Sequence, residues 1–152
     1  MTWAESMPTR ASLVELTVEN IVRFDSGDRW AYWIRESEGS LLVGGAALSN
    51  RGCLDELEIG YWVRSDRTGR GYATEAARVL TNAAFESGPD VATVKISMDR
   101  ANAASAAVPQ KLGFVRDHLY KRDILTPGHS GQGVAWVVSR AAWQNPTSST
   151  RP

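Results

Sequence analysis

Alternating apolar and polar residues predict strands in two central segments of the chain. In residues 54–63 one face of an extended backbone carries Leu57, Ile59, Tyr61 and Val63, and the other face carries Glu56, Glu58, Gly60 and Trp62. Residues 91–98 alternate in the same way, with an apolar face of Val94, Ile96 and Met98. Further strands are predicted at residues 30–35, 41–48, 114–125 and 133–139, and two glycines inside the second of these, Gly44 and Gly45, indicate a bulge.

Helical spacing of apolar residues predicts three helices. The first covers residues 8–24, with Pro8 at its start, and the second covers residues 71–86 with a stripe of small side chains suited to packing on a sheet. The third covers residues 103–112, where Asn102 is the predicted cap and Pro109 is expected to kink the helix or shorten its regular part. This order of elements predicts an α+β fold with a mixed, mostly antiparallel sheet.

Composition and charge narrow the class of protein. The chain has 152 residues, which predicts a single domain over residues 1–143, and the polar tail 144–152 with its two prolines is expected to be disordered. Lys and Arg together number 17, as do Asp and Glu, and this balance argues against general binding to nucleic acid or a membrane surface. The single cysteine excludes an intrachain disulfide and fits a cytoplasmic location.

The segment after the central strand has the layout of an anion-binding cradle. The apolar run ends at Val63, a polar loop containing Gly69 and Gly71 follows, and a helix begins directly after the loop. Glycines let such a loop adopt positive φ, and a helix N-terminus offers unpaired N–H groups and the positive end of its dipole. Taken alone, the pattern also fits a plain turn between a strand and a helix.

Two motifs together resemble the GNAT acetyltransferase superfamily, most closely its RimJ/RimL-type ribosomal-protein N-terminal acetyltransferases. The acetyl-CoA loop of that family is similar to residues 68–73, and a second block of the family matches Asn102, Ser105, Val108, Lys111, Leu112, Gly113 and Phe114. The resemblance runs from about Trp30 to Trp143. It implies a twisted sheet that splays between the strand ending near Val63 and the strand ending near Met98. It also implies that the chain lacks the strand and helix with which this subgroup begins.

The resemblance implies that acetyl-CoA is the acetyl donor. By residue, the implied cofactor contacts are Trp62, Val63, Thr68, Gly69, Arg70, Gly71, Tyr72, Ala73, Thr74 and Asn102. Asn102 also fits a simple helix cap. The chain departs from the family at Thr68, where Gln or Arg is usual, so that one phosphate contact is lost or passes to Arg67. It departs again at Pro109, where many members carry the tyrosine that acts as general acid.

Three side chains are candidates for proton transfer. By resemblance, Ser105 reprotonates the leaving thiolate, although it equally fits an ordinary serine in the first turn of a helix. An amine acceptor must lose a proton before it attacks, and Glu58 or Asp123 could accept that proton. Each of these carboxylates also fits a surface charge. The two histidines, His118 and His129, have no Cys or His at metal-ligand spacing, so no metal site is predicted.

The function that the resemblance implies is N-acetyl transfer from acetyl-CoA to a primary amine, by direct attack in a ternary complex. The acceptor would be the N-terminus of a protein or peptide, or a small-molecule amine. The alternative is a non-catalytic CoA-binding or assembly module of the same fold. A homodimer is expected in either case, because a partner chain would cover an exposed sheet edge.

Overall fold

A computed structural model describes residues 10–36, 41–53, 55–125 and 127–145. The predicted start of the first helix and the part of the predicted tail from residue 146 onward lie outside the described residues. The four helices that it describes are α1 Arg10–Asp25, α2 Tyr72–Ser87, α3 Ala103–Lys111 and α4 Arg140–Gln144. The six strands are β1 Arg29–Arg35, β2 Leu42–Asn50, β3 Glu56–Val63, β4 Thr93–Asp99, β5 Val115–Lys121 and β6 Gln132–Ser139.

The strands form one mixed sheet in the order β1-β2-β3-β4-β6-β5. Four of the five neighbouring pairs are antiparallel, and β3 with β4 is the parallel pair. A parallel pair needs a crossover connection, and α2 supplies it between β3 and β4. The predicted α+β fold with a mostly antiparallel sheet is confirmed.

The sheet divides between β3 and β4. Their ladder runs only from the pair Glu56–Thr93 to the pair Ile59–Ile96. Beyond that point β3 continues on β2 as far as Val63, and β4 continues on β6 as far as Asp99. The two halves of the sheet therefore separate at the ends of these strands, where the resemblance predicted a splay.

The hydrophobic core lies between the sheet and helices α2 and α3. The predicted apolar face of β4 is buried, and that of β3 is buried at Leu57 and Ile59 and half-buried further along. Ile59 and Ile96, at the junction of the two strands, are each 1% exposed. Burying one such side chain contributes about 2 kcal/mol relative to leaving it in water. The small-residue stripe of α2 packs on this surface through Ala77, Leu80 and Ala84. This confirms the helix face predicted from the sequence and fixes the N-terminus of α2 close to the end of β3.

Two boundaries differ from the sequence prediction. The strand predicted to continue to residue 125 ends at Lys121, because its partner β6 begins at Gln132, which pairs with Lys121. The helix α4 was not predicted. It begins at Arg140 because the Ser139 side chain accepts a hydrogen bond from the Ala142 N–H at 3.2 Å.

Glycines in β2 accompany a change of register next to β1. The register of β1 and β2 shifts between Ile34 and Arg35, beside the predicted bulge at Gly44. A Cβ placed on Gly45 would lie 2.7 Å from the Trp62 indole nitrogen. The glycine is therefore required by the close approach of the Trp62 ring across the sheet.

Arg140 is expected to be a large contributor to the stability of the fold. Its guanidinium donates hydrogen bonds to the carbonyl oxygens of Phe85, Gly88 and Val91, with Nε and Nη2 at 3.0 and 2.7 Å from the Val91 oxygen. We expect Arg140→Met to lower the free energy of unfolding by about 2 kcal/mol, because carbonyls at the end of α2 lose a charged donor.

Urea denaturation measures this loss, and Arg78→Met is the matched control. Arg78 lies on the exposed surface of α2 and pairs with Glu75 one turn away. Exposed ion pairs on a helix contribute little, so the control should leave the urea midpoint nearly unchanged. Equal midpoints for the two variants would contradict the assigned role of Arg140.

Candidate functional site

The loop between β3 and α2 forms a cradle of backbone N–H groups. A short 3-10 turn over Ser65–Arg67 leads into Gly69 and Gly71, whose φ angles are +76° and +86°. Gly71 occupies the N-cap position of α2. A glycine has no side chain to satisfy the first N–H groups of the helix, so those of Tyr72, Ala73 and Thr74 are available to an external acceptor.

The space beside both glycines is open. A Cβ built on Gly69 or Gly71 meets no atom within 4 Å in the part of the chain that the structure describes. The two glycines are therefore required by their positive φ angles and not by crowding inside the protein. The predicted positive φ at both positions is confirmed, and the cradle faces outward.

Side chains around the cradle hold the loop in shape. Thr68 Oγ1 donates to the Ser65 carbonyl at 3.1 Å, so the hydroxyl that replaces the usual Gln or Arg is bonded inside the loop. Arg70 pairs with Glu36 at 3.4 Å, and the Tyr72 hydroxyl donates to the same carboxylate at 2.7 Å. Half-exposed ion pairs of this kind are weak, so Arg70 is able to exchange Glu36 for another anion.

Arg67 is the second cation beside the cradle. Its Nε is buried and makes no hydrogen bond to any of the described residues. A buried N–H donor without a partner carries a desolvation cost. A phosphate contact of Arg67 in place of Thr68 stays a prediction.

Asn102 and Ser105 meet at the beginning of α3. The Asn102 side chain accepts a hydrogen bond from the Ser105 N–H at 3.0 Å, which confirms its predicted role as the helix cap. A contact of Asn102 with the cofactor stays a prediction. Ser105 is half-buried, and its hydroxyl donates to the Tyr61 hydroxyl at 3.4 Å. Ser105 thus lies on the core side of the sheet, beside β3 in the splayed region.

Tyr61 belongs to this site although sequence reasoning placed it only on the apolar face of its strand. Its hydroxyl donates to the Ser105 carbonyl oxygen at 3.0 Å. Burial raises the pKa of Tyr61 above its ordinary value, so the phenol stays neutral and keeps its proton. The available signal was that a tyrosine on a core face needs a hydrogen-bond partner for its hydroxyl.

Asp99, at the end of β4 on the other side of the splay, holds the neighbouring loops by hydrogen bonds. The sequence pattern did not indicate this role. Its side chain is 6% exposed, and Oδ1 accepts hydrogen bonds from the Ala101 N–H and the Ser130 hydroxyl, both at 2.8 Å. The backbone hydrogen bond from Ala101, together with those from Ser130, lowers the pKa of Asp99. The carboxylate thereby ties the end of β4 to the segment that precedes α3 and to the loop between β5 and β6.

The Asp99 contacts predict a pH-dependent contribution to stability. Because folding lowers the pKa of Asp99, the contribution is complete above the unfolded value of about 3.9 and is lost as pH falls through the folded value. Asp99→Asn should therefore lower the urea midpoint at pH 7, and its difference from the parent protein should shrink below about pH 4. The exposed Asp90→Asn is the control, and a difference that does not change with pH would contradict this assignment.

A cavity of about 290 Å³ opens on the other face of the sheet. It is lined by Glu58, Lys95, Ser97, His118, Tyr120 and Ala135. Glu58 and Lys95 belong to the next-to-last pair of the β3–β4 ladder, and Ser97 is the first residue of β4 beyond the ladder. The cavity therefore lies at the mouth of the splay, across the sheet from Ser105.

The charges in this cavity are paired. Glu58 accepts a hydrogen bond from Arg51 Nε at 3.1 Å, and Lys95 pairs with Glu56. Burial is the largest single influence on Lys95 and by itself would lower its pKa, but the hydrogen bond to Glu56 and the nearby negative charges of Glu56 and Glu58 together outweigh it, so the pKa is raised. Lys95 is thus a fixed positive charge next to Glu58, while Glu58 is the carboxylate that lines the cavity.

A register shift in β5 places a histidine in the cavity wall. Arg116 pairs with Trp136 and Leu119 pairs with Val134, so β5 contains one more residue than β6 over this interval. Such a bulge changes the face to which the following side chains point. His118 lies within the shift and lines the cavity.

The placement of Asp123 differs from the prediction that it lies on a strand. The strand ends at Lys121, and Asp123 is exposed in the loop that follows. The cavity lining includes Glu58 and not Asp123. The structure therefore brings together the cradle, the splay and Ser105 on one face and Glu58 on the other, and it leaves Asp123 outside this arrangement.

No group of three or more His, Cys, Asp or Glu side chains is placed to hold a metal ion within the described part of the chain. None of the helices described there combines the length and the hydropathy needed to cross a membrane.

The chain matches a known protein family and a curated relative. Residues 1–115 match the family described as the acetyltransferase (GNAT) domain. YdaF of Bacillus subtilis (strain 168), which is named for ribosomal N-acetyltransferase activity, is 30% identical over 89 residues, or 59% of this chain. The aligned region covers 48% of that relative, so the chain spans about half the length of the curated protein that it matches.

Solved structures share the fold at low sequence identity. The microcin C7 self-immunity acetyltransferase MccE, solved with acetyl-CoA and AMP, has a TM-score of 0.80 at 19% identity, over 91% of this chain and 76% of its own. The ribosomal L7/L12 α-N-protein acetyltransferase RimL, solved with coenzyme A, has a TM-score of 0.79 at 18% identity, over 91% and 77%. At these identities the similarity shows the fold alone.

Proposed function

The chain belongs to the GNAT acetyltransferase family, and we propose that it transfers the acetyl group of acetyl-CoA to a primary amine. The observation that carries this proposal is the outward-facing cradle formed by Gly69, Gly71 and the N-terminus of α2, directly after the strand where the sheet splays. An anion site next to an opened sheet fits a ligand with a diphosphate at one end and a strand-like arm at the other. Acetyl-CoA is such a ligand, and it is present in the MccE structure.

In this proposal the cofactor is held mainly by backbone groups. The N–H groups of Tyr72, Ala73 and Thr74 bind the diphosphate, and Arg67 and Arg70 contribute charge. The pantetheine arm lies along Trp62 and Val63 in the manner of an added strand, beyond the end of the β3–β4 ladder. The thioester then lies in the splay, near Ser105.

The proposed reaction is a direct acyl transfer. The amine reaches the splay from the cavity, and Glu58 accepts the proton that an ammonium group must lose before attack. The nitrogen bonds to the acetyl carbon, and backbone N–H groups near Val63 stabilise the tetrahedral oxyanion. As the C–N bond is completed the C–S bond breaks, the electron pair leaves with sulfur, and Ser105 donates a proton to the thiolate. The nitrogen loses its second proton as it becomes an amide, and this proton replaces the one that Ser105 gave up. Holding both substrates in place supplies much of the rate enhancement.

The acceptor that we favour is a protein or peptide α-amino group, with a small-molecule amine second. The names of YdaF and RimL supply the first choice. The cavity in which the amine would bind is lined by the carboxylate of Glu58 and the ammonium group of Lys95. A peptide segment suits such a cavity, because it offers N–H donors to the carboxylate and carbonyl oxygens to the ammonium group. A homodimer stays a prediction. It would cover part of β1, an outermost strand of the described sheet, where Trp33 is 60% exposed.

Release of free CoA thiol tests the proposal. Acetyl-CoA is incubated with the chain and a panel of peptides with different N-terminal residues, and the same peptides with blocked N-termini serve as controls. We expect saturable release with free N-termini and none with blocked ones, and mass spectrometry should show one added acetyl group. Binding of acetyl-CoA without amine-dependent release would instead favour the non-catalytic CoA-binding module.

A further inference from the structure

The third helix contains a proline at a position where a helical hydrogen bond is due. Pro109 lies inside α3 and is buried. In an α-helix the N–H of residue 109 would donate to the carbonyl of Ser105, four residues earlier. Proline has no N–H, and its ring crowds the same carbonyl. The Ser105 carbonyl therefore needs another donor or loses a hydrogen bond in a half-buried place.

The donor comes from a different element of the fold. Tyr61 on β3 donates its hydroxyl proton to the Ser105 carbonyl oxygen at 3.0 Å. The same hydroxyl oxygen accepts the Ser105 hydroxyl proton at 3.4 Å. With the bond from the Ser105 N–H to Asn102 at 3.0 Å, all three polar groups of Ser105 are engaged.

Tyr61 lies on the part of β3 that has separated from β4. It is two residues beyond Ile59, where the ladder with β4 ends. Its hydrogen bonds connect this free length of β3 to the first turn of α3. The link therefore fixes the position of α3 relative to the strand along which the pantetheine arm is proposed to lie.

We propose that Tyr61 is a positioning residue: its hydroxyl replaces the backbone donor that Pro109 lacks and thereby sets the place of Ser105 at the splay. The part of the proposal that concerns turnover rests on the proposed function. The part that concerns the hydrogen bond does not, because it follows from Pro109, Ser105 and Tyr61 alone. The raised pKa of Tyr61 is consistent with a phenol that stays protonated as a donor.

A double-mutant cycle in urea denaturation tests the structural part. Tyr61→Phe removes only the hydroxyl, and Pro109→Ala restores an N–H that can donate to Ser105. We expect Tyr61→Phe to lower the urea midpoint by about 0.5 M in the parent protein, which corresponds to one hydrogen bond at ordinary m-values. The same substitution in the Pro109→Ala background should lower the midpoint by less than half as much.

Turnover in the same four proteins, and in Ser105→Ala with and without Tyr61→Phe, tests the positioning role. We expect Tyr61→Phe to lower kcat about 10-fold while the Kd for acetyl-CoA changes less than about 2-fold, because the cradle is untouched. In the Pro109→Ala background, or when Ser105 is already alanine, the additional effect on kcat should be about 2-fold or less. Tyr120→Phe, a tyrosine in the cavity wall, is the matched control in the stability measurement.

The outcomes separate this proposal from the proposed function. If Tyr61→Phe lowers the urea midpoint equally in both backgrounds, or not at all, then the Tyr61 hydroxyl does not replace the N–H donor that Pro109 lacks. If Tyr61→Phe lowers kcat by the same factor in the parent protein and in the Ser105→Ala background, Tyr61 does not act through Ser105. If the parent protein has no turnover but the stability cycle shows the expected coupling, the hydrogen-bond role stands and the proposed function fails.

Discussion

Replacing Gly71 with alanine should weaken acetyl-CoA binding about 100-fold, or close to 2.7 kcal/mol. Two effects combine in this change. An alanine at a φ of +86° is strained by about 1–2 kcal/mol, so the loop is expected to move away from the geometry that directs the first N–H groups of α2 outward. The added methyl group also projects into the open space on the ligand side of the loop. Calorimetric titration with acetyl-CoA measures the loss.

The matched control for this prediction is Gly52→Ala. Gly52 also has a positive φ, +93°, and a Cβ built there likewise meets no described atom within 4 Å. It lies just before β3, whereas the cradle follows the end of that strand. We expect Gly52→Ala to lower stability by about as much as Gly71→Ala, about 1 kcal/mol or more, while binding acetyl-CoA like the parent protein. A comparable loss of affinity in both variants would mean that general destabilisation, and not the cradle, governs binding.

Replacing Glu58 with glutamine should lower kcat about 100-fold, within the usual range for the loss of a general base. Glutamine keeps the size of the side chain and its hydrogen-bonding oxygen but cannot accept the proton of an ammonium group. The Kd for acetyl-CoA should change little, since Glu58 lines the cavity on the opposite face of the sheet from Ser105. Steady-state kinetics against pH gives a second readout, because raising the pH increases the fraction of free amine and should recover part of the lost rate.

Glu56→Gln is the matched control for Glu58→Gln. Glu56 lies two residues earlier on the same strand and face, and it is also paired with a cation, Lys95. The cavity lining includes Glu58 but not Glu56. We expect the Glu56 variant to keep kcat within about 3-fold of the parent value, with at most a modest change in stability. Equal kcat losses in the two variants would indicate a general effect of the surface charge and would remove Glu58 from the proposed mechanism.

The sheet and the cradle were predictable because local rules decide them. The period-2 pattern of β3 and β4 identified the buried faces, and Ile59 and Ile96 prove to be the centre of the core. Gly69 and Gly71 were predicted to permit positive φ, and both have it. In these segments the propensity of each residue agrees with the fold around it, which is the condition under which a single sequence is informative.

The remaining features depend on contacts between residues far apart in sequence. The strand containing Val115 ends at Lys121 because its neighbour begins opposite that residue, which no local pattern around Asp123 indicates. The hydrogen bond between Tyr61 and Ser105 spans 44 positions and was not foreseen. Pro109 was predicted to kink α3 or to shorten its regular part, and nothing in the sequence pattern indicated which residue would donate to the Ser105 carbonyl.

The most direct test of the account is calorimetric titration of this chain with acetyl-CoA, and separately with CoA. We predict one site per chain with a Kd of about 10 µM for acetyl-CoA, a value typical of enzyme substrates. The affinity for CoA should be similar, because the cradle binds the diphosphate that both molecules share. The absence of any binding at about 1 mM acetyl-CoA, the upper end of the usual range, would contradict the assignment of the glycine loop as a cofactor site and with it the proposed acetyl transfer.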